Sequence, residues 1–396
     1  MREGWRETTL GEALTRTTVS LGERDEPPIL TVTEGNGLVD QVEHWGRRVA
    51  SENVSKYKVV QPDAIVYNVY LLWLGAIGRN ATGEIGITSP VYEVFEVAPT
   101  VDPRYVEHLV TSEELRAAYA GISSGTVPRR RRTPWQAFLQ VPIVLPPLDE
   151  QRRIVDLIAA LDDAVDAAEA EVAASGVVRL QAIDALLELH GGAELTELGQ
   201  LGSFERGKRF TKKDYVSDGL GCIHYGQIYT DYGATASETI SFLPSSFRNS
   251  ARLAHPGDLV IVGTGENVED IGKAVAWMGR ESVAVHDDAF IFRHELDPVF
   301  ASALFSSSVF LGQRAPSDSK VARLSAGSLM RIRVPVVSEA SQRRIGALMI
   351  ALDESVMESR ACAEALRAVR SNLLTVLLSG AHEIPASYDA LLEGEA

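Results

Sequence analysis

The chain has 396 residues, two cysteines and a formal net charge of −16, with 45% hydrophobic and 23% charged residues. That length accommodates two or three separate cores, Cys222 and Cys362 are too few for a disulfide framework or a zinc site on cysteine alone, and no stretch reaches the roughly 18 apolar residues of a membrane span. The charge is uneven: −3 over 1–145, −8 over 146–195, −1 over 196–335 and −4 over 336–396, so two near-neutral stretches can each carry a basic face.

The start, Met1-Arg2-Glu3-Gly4-Trp5, lacks the apolar run of a signal peptide, and a cytoplasmic protein without membrane contact is expected. Short β-branched and aromatic runs predict strands at Tyr57–Val60, Ala64–Tyr67 and Val91–Phe95, with helix following at about 103–119. Pro146-Pro147 cannot sit inside a helix, and Asp149-Glu150 places two carboxylates in the first turn of one. This helix runs to Gly191-Gly192. Strands return at Leu259–Val262 and Ala289–Phe292, then helix at about 298–313. Ser338 with Glu339 opens a second long helix, and Gly380 stops it. The fold class is mixed α/β. The boundaries are a first domain at 1–148, a helix at 149–192, a second domain at 193–336, a second helix at 337–380 and a tail at 381–396.

The helices repeat. Gln151-Arg152-Arg153-Ile154 to Leu186-Leu187 matches Gln342-Arg343-Arg344-Ile345 to Leu377-Leu378 at a constant offset of 191, with 15 of 37 positions identical. Fainter echoes pair Pro62–Val66 with Pro256–Val260, Asp102–Tyr105 with Asp297–Phe300, and Val141–Val144 with Val334–Val337. Heptad stepping gives Ile345, Leu348, Leu352, Ser355, Ser359, Cys362, Leu366, Val369, Leu373 and Val376. The first copy gives Ile154, then Leu157, Leu161, Ala164, Ala168, Glu171, Ser175, Val178, Ala182 and Ala185. A run of 37 residues, about 55 Å at 1.5 Å each, exceeds an ordinary domain helix. A pseudo-twofold pair of antiparallel helices, rather than a core helix in each domain, is the expectation. Ser175-Gly176 weakens the middle.

Cations and aromatics cluster in both domains. In the first they are Arg47, Arg48, Lys56, Lys58, Tyr67, Asn68, Trp73, Arg79 and the run Arg129, Arg130, Arg131, Arg132. In the second they are Arg206, Lys208, Arg209, Lys212, Lys213, Tyr225, Gln227, Tyr229, Lys320 and Arg323. Lysine and arginine bind phosphates, while Gln, Asn and Arg address base edges, so double-stranded DNA is the expected ligand. Gly265 to Ala274 misses the phosphate-loop spacing and its Ser/Thr. His286-Asp287-Asp288 reads as a strand-end turn rather than a metal site. No resident cofactor or metal is expected, and no catalytic residue is assigned.

Pro146-Pro147-Leu148-Asp149-Glu150-Gln151-Arg152-Arg153-Ile154 resembles the signature opening the conserved helix of DNA specificity subunits of type I restriction–modification systems. So do Gly83–Tyr92, Gly257–Ile261, Thr264-Gly265-Glu266, Asp270–Lys273 and Lys320–Ser325 in the domains. Val336–Ser341 departs from the Pro-Pro-Leu-x-Glu usual at this point. The resemblance covers nearly the whole chain and implies a non-catalytic subunit with two target-recognition domains. Each reads half of a split DNA target, with Thr264, Glu266 and Asn267 added to the contact set. The helices fix the gap and dock two methyltransferase subunits that bind S-adenosylmethionine; motor–nuclease subunits complete the phage-defence complex. A methylation-only or other defence system, and a coiled-coil scaffold that no longer binds DNA, are the alternatives.

Overall fold

The computed structural model describes residues 4–125, 131–190, 195–265, 270–314, 322–385 and 388. The calls at Arg129, Arg130, Gly191-Gly192, Glu266, Asn267 and Lys320 lie outside them. Contacts divide the chain into unit 1, residues 1–166 with 365–396, and unit 2, residues 167–364. No helix among the described residues is long and apolar enough to cross a membrane.

Unit 1 begins with β1 (Arg6–Thr9), α1 (Leu10–Ala13), β2 (Leu14–Thr17), β3 (Leu30–Thr33), β4 (Gly37–Asp40) and α2 (Gln41–Trp45). It continues through β5 (Lys58–Val60), β6 (Ile65–Tyr67), β7 (Ile77–Arg79), β8 (Gly86–Thr88) and β9 (Glu93–Val97). Then come α3 (Pro103–Val110), α4 (Glu113–Ile122), α5 (Trp135–Leu139), β10 (Pro142–Leu145) and the start of α6 (Leu148–His190). The main sheet has the order β2-β9-β6-β7, and β1 pairs with β10.

Unit 2 contains β11 (Leu195–Glu197), α7 (Leu198–Leu201), β12 (Gly202–Arg206), β13 (Leu220–Ile223), α8 (Tyr225–Thr230), β14 (Thr235–Ala236) and β15 (Ser241–Leu243). Next are β16 (Leu253–Ala254), β17 (Leu259–Val262), β18 (Thr264–Gly265), β19 (Ala274–Trp277), β20 (Val283–Val285) and β21 (Ala289–His294). It closes with α9 (Pro298–Leu304), α10 (Ser308–Gln313), β22 (Ala322–Arg323), α11 (Ala326–Met330), β23 (Arg333–Pro335) and the first part of α12 (Glu339–Leu378).

Its main sheet, β12-β21-β17-β19-β14, repeats the unit 1 order with one strand added, and β11 pairs with β23 as β1 does with β10. The two units therefore share the topology of their main sheet and of the pair beside it. The predicted helices after the sheets are each broken in two, because Ser112 and Ser307 cap new helices with their hydroxyls. The echo at Val141 needs correction. Leu10 N–H donates to the Val141 carbonyl and Leu198 N–H to that of Ile332, so Val141 matches Ile332 rather than Val334, and the offset of 191 already holds there.

The same joint fastens α6 to unit 1 and α12 to unit 2. Asp102 and Asp297 each precede a proline at the first helical position and cap α3 and α9 with their carboxylates. Their own backbone N–H groups donate to Gln151 Oε1 and Gln342 Oε1, both at 2.9 Å. The glutamine Nε2 groups donate to the Pro146 and Val337 carbonyls, both at 2.9 Å. The departure at Val336–Ser341 thus leaves the helix entry unchanged. Ser338 caps α12, accepting from Ser341 N–H at 3.3 Å. Gly380, with φ of 70°, ends it with N–H bonds from Gly380 to Leu377 and from Ala381 to Val376.

Ile154, Ile158, Leu377 and Leu378 join the core of unit 1; Ile183, Leu187, Ile345 and Met349 join that of unit 2. Each core therefore takes the start of one long helix and the end of the other. Covered positions step through Ile345, Met349, Leu352, Val356, Ser359, Ala363, Leu366, Arg370, Leu373 and Leu377, and at the same offset through Ile154, Ile158, Leu161, Val165, Ala168, Val172, Ser175, Arg179, Ala182 and Leu186. One half of the expected seam is covered: Ile345, Leu352, Leu366, Leu373, Ile154 and Leu161. The other half is one residue out. Leu348, Val369 and Val178 are 46%, 51% and 52% exposed, and Leu157 is only partly covered at the edge of the unit 1 core. Hydrophobicity misplaced that phase because the seam carries arginine. Arg370 Nε and Nη2 bind Asp162 at 2.7 and 3.1 Å in unit 1. Arg179, its counterpart, binds Asp353 in unit 2.

Candidate nucleic-acid interface

In unit 1 the fold withdraws several of the expected contact residues. Tyr67 is wholly buried beside Phe95 and Phe138, its hydroxyl donating to the Thr133 carbonyl at 3.2 Å, and burial pushes its pKa up. The alternating strand that exposes one neighbour buries the next, and here β6 is covered on both faces. Asn68, also buried, accepts from Tyr70 N–H and holds a turn. Lys58 pairs with Glu93 at 3.0 Å and is 11% exposed. Arg79 bridges Asp63 at 2.6 Å and Glu107 at 2.8 Å. Arg48 pairs with Glu26 at 2.6 Å. These cations are already neutralised inside the domain. The exposed set is Arg47, Lys56 and Arg132, none with an ion pair among the described residues. Arg131 lies 5.2 Å above the Trp73 ring and donates to the Ala120 and Ser123 carbonyls, a fixed guanidinium–aromatic platform.

Unit 2 keeps more of its cations free. Lys208, Arg209, Lys212 and Lys213 are exposed on the segment between β12 and β13. None has an ion pair among the described residues. Arg206 instead donates to the Asp287 carbonyl at 2.6 Å. Gln227 is a helix cap: Oε1 accepts from His224 N–H and Nε2 donates to Ser241 Oγ, both at 2.8 Å. One N–H and one lone pair of its amide are thus engaged within the domain. Tyr225 and Tyr229 are half-buried edge to face, 5.8 Å apart. Tyr229 donates to the Thr264 carbonyl at 3.3 Å, with Lys273 5.8 Å from its ring. Thr264 is buried in the β18–β22 pair opposite exposed Arg323.

Two histidines, His224 and the His286 of the expected strand-end turn, lie beside this platform. The His224 ring lies 4.4 Å from those of both Tyr225 and His286, tilted against each. Burial first, and then His286, depress its pKa to about 4. Its Nδ1 accepts the Gly226 N–H that opens α8. His286 Nδ1 accepts from Asp288 N–H at 3.2 Å and Nε2 faces the Phe210 carbonyl at 3.0 Å. Both ring nitrogens are occupied, so the nearby Asp287 and Asp288 do not complete a metal site with it, although the ligand atoms lie within 4.8 Å.

No family model matches the chain. The type I restriction enzyme MjaVIII specificity subunit of Methanocaldococcus jannaschii is 20% identical over 369 residues, spanning 82% of each chain. A chain solved in work on assembly and conformational transition of the type I restriction–modification system superposes with a TM-score of 0.60, at 18% identity, over 95% of this chain and 98% of that one. The chain is thus similar in sequence and fold to type I restriction specificity subunits. The likeness is one of fold: two mixed helix-and-sheet units and the two long helices α6 and α12. The solved specificity subunit of Thermoanaerobacter tengcongensis aligns over 96% of this chain at 17% identity, with a TM-score of 0.48.

Within that relationship, one further exposed aromatic stands out. Trp45 is 54% exposed at the end of α2, where left-handed Gly46 turns the chain into Arg47 and Arg48. The signal was in the sequence, an aromatic directly before an arginine pair, but composition could not tell it from a core tryptophan.

Proposed function

We propose that this chain reads DNA sequence for a type I restriction–modification assembly. Each domain contacts one half of a bipartite target through the major groove. The paired helices fix the gap between halves and dock two methyltransferase subunits. Those partners bind S-adenosylmethionine and modify adenine, a motor–nuclease subunit restricts unmodified DNA, and the chain itself is non-catalytic. It works in the cytoplasm. The observation that carries this reading is the duplication of one domain topology on one buried Asp–Gln joint, with unneutralised cations on both copies. Phosphate contacts would come from Arg47, Lys56 and Arg132 in one domain and from Lys208, Arg209, Lys212 and Lys213 in the other. Base contacts fall to the neighbouring loops.

Adenine-methylation mapping in cells with and without the gene tests it. A gene-dependent split motif is expected. With the purified complex, Lys212→Ala with Lys213→Ala should reduce the salt slope of DNA binding by about two and leave the motif unchanged. No gene-dependent motif together with salt-independent binding would refute the reading.

A further inference from the structure

The two units differ at one place where their shared topology makes the comparison residue by residue. In unit 1 a cavity of about 620 Å³ opens beside β10, floored by Leu109, Leu115, Leu374 and Leu378 and rimmed by Glu7, Glu113 and Glu114. In unit 2 the equivalent place is bridged and carries a larger side chain. Asp184 accepts from Ser308 N–H at 2.8 Å, where unit 1 has Thr375 and Glu113. Phe310, wholly buried, occupies the position of Leu115; each is the third residue after its capping serine.

The strand edges differ in the same sense. Leu10 bonds to Val141 across the β1–β10 pair, so Ile143 and Leu145 face β1 and the N–H and C=O of Val144 point to the other edge. Among the described residues that edge has no partner. In unit 2 it is closed twice. The Arg333 N–H and C=O are both taken by the Gln313 amide, at 3.0 and 2.7 Å. Pro335 stands in the place of Val144 and has no N–H.

We infer that unit 1 binds an extended polypeptide segment of alternating basic and apolar residues, which adds a strand to the outer edge of β10 and sets its side chains into the cavity. The open edge supplies main-chain hydrogen bonds and the leucine floor takes apolar side chains. Charge selects the rest. Arg370 at the wall is already neutralised by Asp162, and burial, then Arg370, hold His108 below its usual pKa. Glu113 already pairs with Arg116 at 3.5 Å, so Glu7 and Glu114 are left to attract lysine or arginine.

The test uses the full chain and a synthetic decapeptide of alternating lysine and valine, with its glutamate–valine counterpart as control. Saturable binding of the lysine peptide is expected, with new hydrogen-exchange protection at the Val144 amide. Val144→Pro and Leu115→Phe each import the unit 2 residue and should weaken binding at least tenfold. Leu115→Phe keeps every backbone donor, so it decides the matter if Val144→Pro misfolds. No binding, equal binding of the glutamate peptide, protection elsewhere, or native affinity in Leu115→Phe would overturn the inference.

Discussion

Two buried glutamines do in each unit what no apolar residue can. Gln151 and Gln342 are 2% and 6% exposed and satisfy both a backbone N–H and a backbone C=O. Replacing either by leucine strands both groups, a loss of about 1–3 kcal/mol. Gln151→Leu should destabilise unit 1 and Gln342→Leu unit 2, and hydrogen exchange resolved by segment checks that assignment. His224 gives a pH signature. Its folded pKa, about 4, lies below the ordinary histidine value, so the unfolded chain binds more protons between the two. Stability is full above the ordinary value and falls as pH drops through that window. His108 and His294 are shifted in the same direction, so the slope is shared. His224→Asn keeps a helix cap and removes one titrating group. Its melting temperature should fall less between pH 7 and pH 5 than that of the native chain.

At the scale of elements, the seam is marked by charge as much as by hydrophobicity. Arg370 binds Asp162 through two nitrogens, and both residues are partly exposed. Arg370→Asp or Asp162→Arg alone should destabilise unit 1. The double exchange should recover most of that, with a coupling of about 1 kcal/mol in a double-mutant cycle. Strictly additive losses would mean the pair is incidental. This element also shows what was legible in the sequence. The repeat was, because 15 identities hold at one offset with no gap between the two helices. So were the helix caps, whose Asp-Pro and serine chemistry is local. Half the seam was misplaced because Arg179 and Arg370 occupy it and exposed Leu348 and Val369 flank it. The contact surface was least legible: Tyr67, Lys58 and Gln227 look like binding residues until their distant partners Thr133, Glu93 and Ser241 are known.

For the whole molecule, helix length is the quantity to vary. One heptad added to α6 at Ser175-Gly176 and one to α12 at its counterpart keep every seam residue in phase. Each helix grows by about 10.5 Å, close to the rise of three base pairs of duplex. The methylated motif should keep both half-targets and gain about three base pairs between them, read directly from methylation mapping. An unchanged gap would mean that the helices do not measure it. The division of the chain has another consequence, this one for synthesis. Unit 2 is an insertion within unit 1, bounded by residues 167 and 364. A ribosome therefore releases all of unit 2 while unit 1 still lacks Leu377, Leu378 and Ile384 from its core. Domains ordinarily fold from the N-terminus forward during translation; here the domain begun first is finished last. A nascent chain must leave the unit 1 core incomplete until residues 377–384 emerge, and a stop codon near residue 365 would damage unit 1 rather than unit 2.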